Sequence, residues 1–134
     1  MSLKQLSVFL ENREGRLEDL FHVFGENNIE IQSFSLAESS EYGILRLIVS
    51  NPEKARDELR AVDFSASLTD VVAVCLPGGF DSLKNVTDAI TSEYNIEYMY
   101  VLSTEKDHQS IVFKIKNVEE VEKSLEDKGF TLIH

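Results

Sequence analysis

Only one cysteine, Cys75, occurs among the 134 residues. An internal disulfide is thereby excluded, and a lone thiol cannot build a zinc site. Its setting, the apolar run from Val71 to Leu76, predicts a small buried hydrophobe. No stretch of 18 or more apolar residues is present, which excludes a membrane-spanning helix. No basic-then-apolar leader opens the chain, so the expected location is the cytoplasm. Positive charge is scarce as well: 13 Lys and Arg stand against 24 Asp and Glu, a net charge of −11. Such a surface repels phosphate backbones and anionic bilayers, which removes nucleic acid and membrane from the expected partners. His22, His108 and His134 are scattered without ligand spacing, and no nucleophile–base grouping or close acidic pair stands out. No metal, no cofactor and no catalytic centre is therefore expected, and the chain reads as a non-enzyme.

What is present is repetition. Leu17 and Leu83 each open an amphipathic pattern, and they lie 66 positions apart. Asn-Ile-Glu occurs at Asn28 and again at Asn95, 67 positions on. The segment from Asn51 is answered by one from Asn117, and Asp63-Phe64 by Gly129-Phe130, both at 66. A spacing held through four landmarks predicts two copies of one unit, residues 1–69 and 70–134.

Each copy yields the same order of elements. In the first, Leu6, Val8 and Leu10 alternate as in a strand. A helix follows Gly15 with Leu17, Leu20, Phe21 and Phe24 on its apolar face, and Gly25 with the Glu26, Asn27 and Asn28 after it suits its stop. Ile29 to Leu36 reads as a strand whose apolar parity switches between Ile31 and Phe34, the mark of a bulge or an edge. A hairpin connection through residues 37–43 leads to a strand from Gly43 to Val49. Asn51 then caps a helix with Pro52 at its first position and Ala55, Leu59 and Val62 as its buried stripe. Phe64 to Leu68 closes the unit. The second copy gives strands at Val71 to Leu76, Ile96 to Leu102, Ser110 to Lys116 and Phe130 to Ile133. Its helices start at Leu83 and after the cap Asn117. The predicted class is α+β: two ferredoxin-like βαββαβ units, each an antiparallel sheet with both helices on one face. Strands such as Gly43 to Val49 are apolar on both parities, so the second face should be covered and a homo-oligomer is expected.

The residues from Asn12 to Leu17 carry the functional question. A helix start offers unpaired N–H groups and the positive end of a dipole, and Gly15 lets a ligand approach the backbone. Arg13 and Arg16 add positive field. Two readings stand on the local sequence: a cradle for a small anion, or a tight turn beside solvated arginines.

The segment from Val8 to Ile31 is similar to the opening of ACT domains, the amino-acid-binding regulatory module. The resemblance rests on Asn12, Gly15, Leu17, Asn28 and Ile29, and continues through residues 35–55 to cover the first copy. Glu14 stands where that family usually has proline. In the second copy Asp81 occupies the place of Gly15, and Gly78 and Gly79 fall earlier. The resemblance implies a stand-alone tandem ACT protein, binding a free amino acid between ACT units and acting on a regulated enzyme. It places the ligand on Asn12, Arg13, Glu14, Gly15, Arg16 and Leu17, with Asn28 and Ile29, and secondarily on Asn95 and Ile96. Backbone amides would hold the carboxylate, and side-chain or backbone oxygens the ammonium. The alternative, motivated by Glu14 and Asp81, is an interaction or oligomerisation module without a ligand.

Overall fold

The computed structural model describes residues 2–11, 14–38, 41–105 and 108–134. The elements run β1 (Leu3–Glu11), α1 (Arg16–Glu26), β2 (Ile31–Glu38), β3 (Tyr42–Val49), α2 (Pro52–Ala61) and β4 (Ser65–Leu76). After a short 3₁₀ turn at Gly79–Ser82 come α3 (Leu83–Thr91), β5 (Tyr98–Glu105), β6 (His108–Lys114), α4 (Val118–Asp127) and β7 (Leu132–Ile133). The chain divides into two compact units, Lys4–Thr69 and Asp70–His134, with Ser2 and Leu3 belonging to the second.

The first unit orders its strands β2-β3-β1-β4 and the second β5-β6-β4-β7. Both are the βαββαβ arrangement, with antiparallel registers such as Val8 opposite Leu45 and Val74 opposite Ile111. In the first unit Leu6, Val8, Leu10, Leu45 and Leu47 meet Leu20, Phe24, Ala55 and Leu59 from the two helices. In the second, Val72, Val74, Leu76, Ile111 and Phe113 meet Val86, Ile90, Val121 and Leu125. Burying one such Leu or Phe side chain contributes about 1.5–3 kcal/mol, so these two clusters carry most of each unit's stability.

The strands expected at Phe64 to Leu68 and Val71 to Leu76 are one continuous strand, β4, which closes the first unit and opens the second. Ser65–Leu76 contains no Gly, Pro or Asn, so nothing at the expected break, Thr69-Asp70, forces the backbone out of an extended path. The parity switch in β2 is a register shift between Ile31 and Ser33, and β2 is an edge strand. Ile29 precedes that strand. It is 7% exposed because α1 ends in a Schellman motif, with Asn28 left-handed at φ 56° and the Ile29 N–H donating to the Phe24 carbonyl at 3.0 Å.

The same device ends α2 and α4. Asp63 (φ 69°) and Gly129 (φ 90°) are left-handed, and Phe64 and Phe130 donate back to Leu59 and Leu125, each at 3.0 Å. The stop expected over Gly25 and the Glu26, Asn27 and Asn28 after it is where α1 ends, with Gly25 itself still inside the helix. Val62 is not part of the α2 stripe: the helix stops at Ala61, Val62 is 48% exposed, and Phe64 fills the core instead. Phe21 also lies beside its stripe, 39% exposed, while Leu20 and Phe24 are buried. Asn51 caps α2 as expected, accepting the Lys54 N–H at 3.2 Å, but the Asn117 side chain makes no such bond to α4. Ile48, Val71, Ala73 and Val112, on the opposite parity of their strands, are also buried.

One buried side chain stands out in α4. Glu122 is 6% exposed, its Oε2 accepts no hydrogen bond, and His134 Nδ1 lies 3.7 Å from it. Burial pushes its carboxyl above the usual carboxylate range, and Glu126 and Asp70 push the same way, against the pull of His134. A folded pKa raised above the unfolded one favours the protonated form, so this contribution is complete below the unfolded value, about 4.3, and is lost as pH rises through the folded value. Glu122→Gln is therefore expected to stabilise the protein near neutral pH. Urea melts of both proteins between pH 4 and 8 test this: the gain should grow with pH and vanish at the acid end. A variant less stable than the parent at pH 7 would show that the His134 pair dominates.

Candidate functional site

The start of α1 is built around Gly15. Its backbone is left-handed, φ 82° and ψ −7°, and its carbonyl accepts the Asp19 N–H at 3.0 Å, the first bond of the helix. Glycine supplies no side-chain cap, so the N–H groups of the first turn remain available, as helix geometry requires of them. Among the described residues, a Cβ at Gly15 would meet no atom within 4 Å, so the space beside that backbone is open to them. Asn12 and Arg13 lie outside the described residues. Glu14 and Gly15 are exposed, and Leu17 is half-buried against the core.

The electrostatics differ from those of a plain anion cradle. Glu18 and Asp19 occupy the first turn and Glu14 precedes it, so carboxylates flank the positive end of the helix. The Arg16 charge is directed elsewhere. Its guanidinium carbon sits 3.6 Å from the centroid of the Phe64 ring, and Nη2 donates to the Asp63 carbonyl at 3.0 Å. Its Nε is shielded from solvent and has no hydrogen-bond partner. Arg16 thus fastens the start of α1 to the left-handed turn that ends α2.

Asn28 and Ile29 stand at the other end of α1. Eleven residues at about 1.5 Å each separate them from Gly15 by roughly 16 Å, further than one small amino acid spans. Asn28 holds a left-handed backbone and is exposed, whereas Ile29 is buried. Within one unit the structure does not bring these two groups together. Asn95 and Ile96 differ from their counterparts: Asn95, unlike Asn28, has no positive φ, and Ile96 is only partly buried against the second core. Asn95 lines a cavity of about 200 Å³ with Glu93, Tyr94, Glu97, Lys116 and Asn117. The sequence reading reached Asn95 through the resemblance, but not the cavity that it lines.

The second strand–helix loop is not a copy of the first. Gly79 is left-handed there (φ 65°), Asp81 sits in the 3₁₀ turn, and the Gly78 N–H donates to Ser82 Oγ at 3.1 Å. Cys75 is half-buried in β4. His22 lies on the exposed face of α1, 2.9 Å from Glu26. Among the described residues no group of three His, Cys, Asp or Glu side chains is arranged to hold a metal ion, and no helix is long and apolar enough to cross a membrane.

Two βαββαβ units in tandem, joined through a shared strand, define a class of paired ferredoxin-like modules. The family is more specific. The chain matches the ACT domain pair over residues 1–133 and belongs to that family. A crystallised protein of Bacteroides thetaiotaomicron is 34% identical, covering 99% of this chain and 92% of its own, with a TM-score of 0.91. The ligand-free regulatory subunit of aspartate kinase from Thermus thermophilus shares the fold at 17% identity, covering 94% and 92%, with a TM-score of 0.65. Its counterpart from Thermus flavus does so at 15%, covering 95% and 92%, with 0.60. At those identities the likeness is one of fold. No curated protein matches the chain.

Because the added Cβ at Gly15 would touch nothing, any cost of Gly15→Ala is backbone strain alone. A loss of about 1 kcal/mol is expected in urea denaturation, with a smaller loss for Gly15→Asn, since Asn tolerates the left-handed region. Equal melts for the parent and both variants would refute the strained turn.

Proposed function

We propose that this protein is a cytoplasmic, non-catalytic regulatory module that binds a free amino acid where ACT units meet and passes that event to a regulated enzyme. The observation that carries the reading is the open, glycine-initiated start of α1. First-turn N–H groups suit a carboxylate, and the neighbouring carboxylates of Glu14 and Glu18 suit an ammonium. A zwitterion satisfies both sets, whereas phosphate or sulfate would meet the acids unfavourably. The 16 Å between Gly15 and Asn28 adds a condition: a ligand touching both must take them from different units. The fold shared with aspartate kinase regulatory subunits supports a regulatory role.

A thermal-shift screen of the twenty amino acids tests the reading, since a ligand at a hundred times its Kd adds about 2.7 kcal/mol. At least one amino acid should raise the melting temperature. Gly15→Asn, which keeps the backbone and sets a side chain over the open N–H groups, should abolish that shift. If none of the twenty acts, the chain is an interaction module without a ligand.

Homo-oligomerisation belongs to the same proposal and draws on the edge strands. Residues 31–37 and 98–104 are uncharged and bracketed by Glu30 and Glu38, and by Glu97 and Glu105. β2 exposes Ile31 (37%), Phe34 (60%) and Leu36 (45%), and β5 exposes Met99 (38%) and Val101 (43%). Edges left uncharged and apolar invite pairing with another strand. Light scattering should therefore give a mass above 15.2 kDa for the parent and near that value for Phe34→Lys. Because chains of charge −11 repel, added salt should strengthen the association. A parent that stays monomeric at high salt would remove this part of the proposal.

A further inference from the structure

We infer that Arg16 couples occupancy of the Gly15 loop to the turn that launches β4. The inference rests on the amino-acid-binding reading above and adds its route of transmission. Arg16 belongs to both places at once. Its backbone is the first residue of α1, directly after the left-handed glycine, and its side chain lies on Phe64 and Asp63.

The attachment is strong enough to order the turn and weak enough to be exchanged. A guanidinium carries five N–H donors, yet here Nη2 meets a neutral carbonyl and the buried Nε–H meets no acceptor. A carboxylate is the better acceptor, since charge-assisted bonds are roughly twice as strong as neutral ones. A ligand carboxylate seated on the first turn of α1 brings that acceptor to the residue whose side chain holds the turn. Arg16 then moves from the Asp63 carbonyl toward the ligand and leaves the Phe64 ring.

The turn is placed to respond. Asp63 holds a left-handed backbone without being glycine, a conformation that persists where its surroundings enforce it. A second fastener, Arg60 Nε to the Ala66 carbonyl at 2.8 Å, keeps the strand start attached when Arg16 leaves. β4 begins at Ser65 and runs unbroken to Leu76, whose inward residues Val72, Val74 and Leu76 belong to the core of the second unit. A change at Asp63 and Phe64 therefore enters the strand that both units share.

The experiment uses the full chain and whichever amino acid gives the largest melting shift in the screen. The Arg16 Nε–H resonance and the hydrogen exchange of residues 63–66 are followed by NMR with and without that amino acid. The Arg16 resonance should move on binding, and exchange at Phe64 should accelerate roughly fivefold, as for loss of one hydrogen bond from a local opening equilibrium. Arg16→Lys, which keeps the charge and loses the planar fork, should bind the amino acid more weakly and, at saturating amino acid, lose the exchange response. Phe64→Leu, which keeps apolar volume and removes the ring, should also lose it. Binding with the Arg16 resonance and residues 63–66 unchanged, or an intact response in Arg16→Lys, overturns the coupling and leaves the amino-acid reading standing. Absence of binding by all twenty removes both.

Discussion

Both units depend on how their helices are closed. A helix of about ten residues leaves four carbonyls unpaired at its end, a large share of its backbone polar groups. α1, α2 and α4 resolve this alike: one left-handed residue turns the chain, and the next apolar residue donates back into the last turn. Ile29 and Phe64 are thereby driven into the first core and Phe130 against the second. The returning strand is then already aimed at the sheet. Without that reversal the apolar faces of helix and sheet would not meet within the short connections the chain has.

The closure also explains which parts of the fold were legible. Repeat spacing and alternation revealed two βαββαβ units because both reflect side-chain periodicity, which sequence displays directly. Gly129 was readable as a left-handed stop because glycine advertises that conformation. Asn28 and Asp63 adopt it with side chains that also suit other roles, so Asn28 was read both within a helix stop and for ligand contact, and Val62 was read for the core. β4 was read as two strands because repeat logic assigns an end to each copy, whereas the backbone ends only where turn chemistry occurs. Arg16 was the least legible. Its stacking on Phe64 joins residues 48 positions apart, and nothing in the local composition distinguishes it from a solvated arginine.

The acidic surroundings of α1 narrow what the loop can hold. Helix dipole and free N–H groups favour any small anion, and positive side chains would have reinforced that preference. Here Arg16 is turned toward the α2 end, and Glu14, Glu18 and Asp19 remain at the helix start. Among the described residues the charge at this start is negative, so the amino acid of the proposed reading would have to tolerate it beside its own carboxylate, which a zwitterion does by bringing an ammonium. The same logic gives selectivity: an analogue lacking either pole leaves one set of polar groups unpaired, and such losses discriminate more strongly than a missing methylene.

Geometry within one unit carries the argument a step further. The open end of α1 and the Asn28 end lie a helix length apart, so amino-acid recognition drawing on both cannot be completed by one unit. On the proposed reading, recognition and association would share a requirement, since each ligand would help hold together the units that supply its contacts. By reciprocity, whatever favours that pairing of units raises ligand affinity by the same factor. If the proposed binding and association both hold, the uncharged edges of β2 and β5 and the start of α1 would belong to one equilibrium, and the proposed role of Arg16 would carry it to β4.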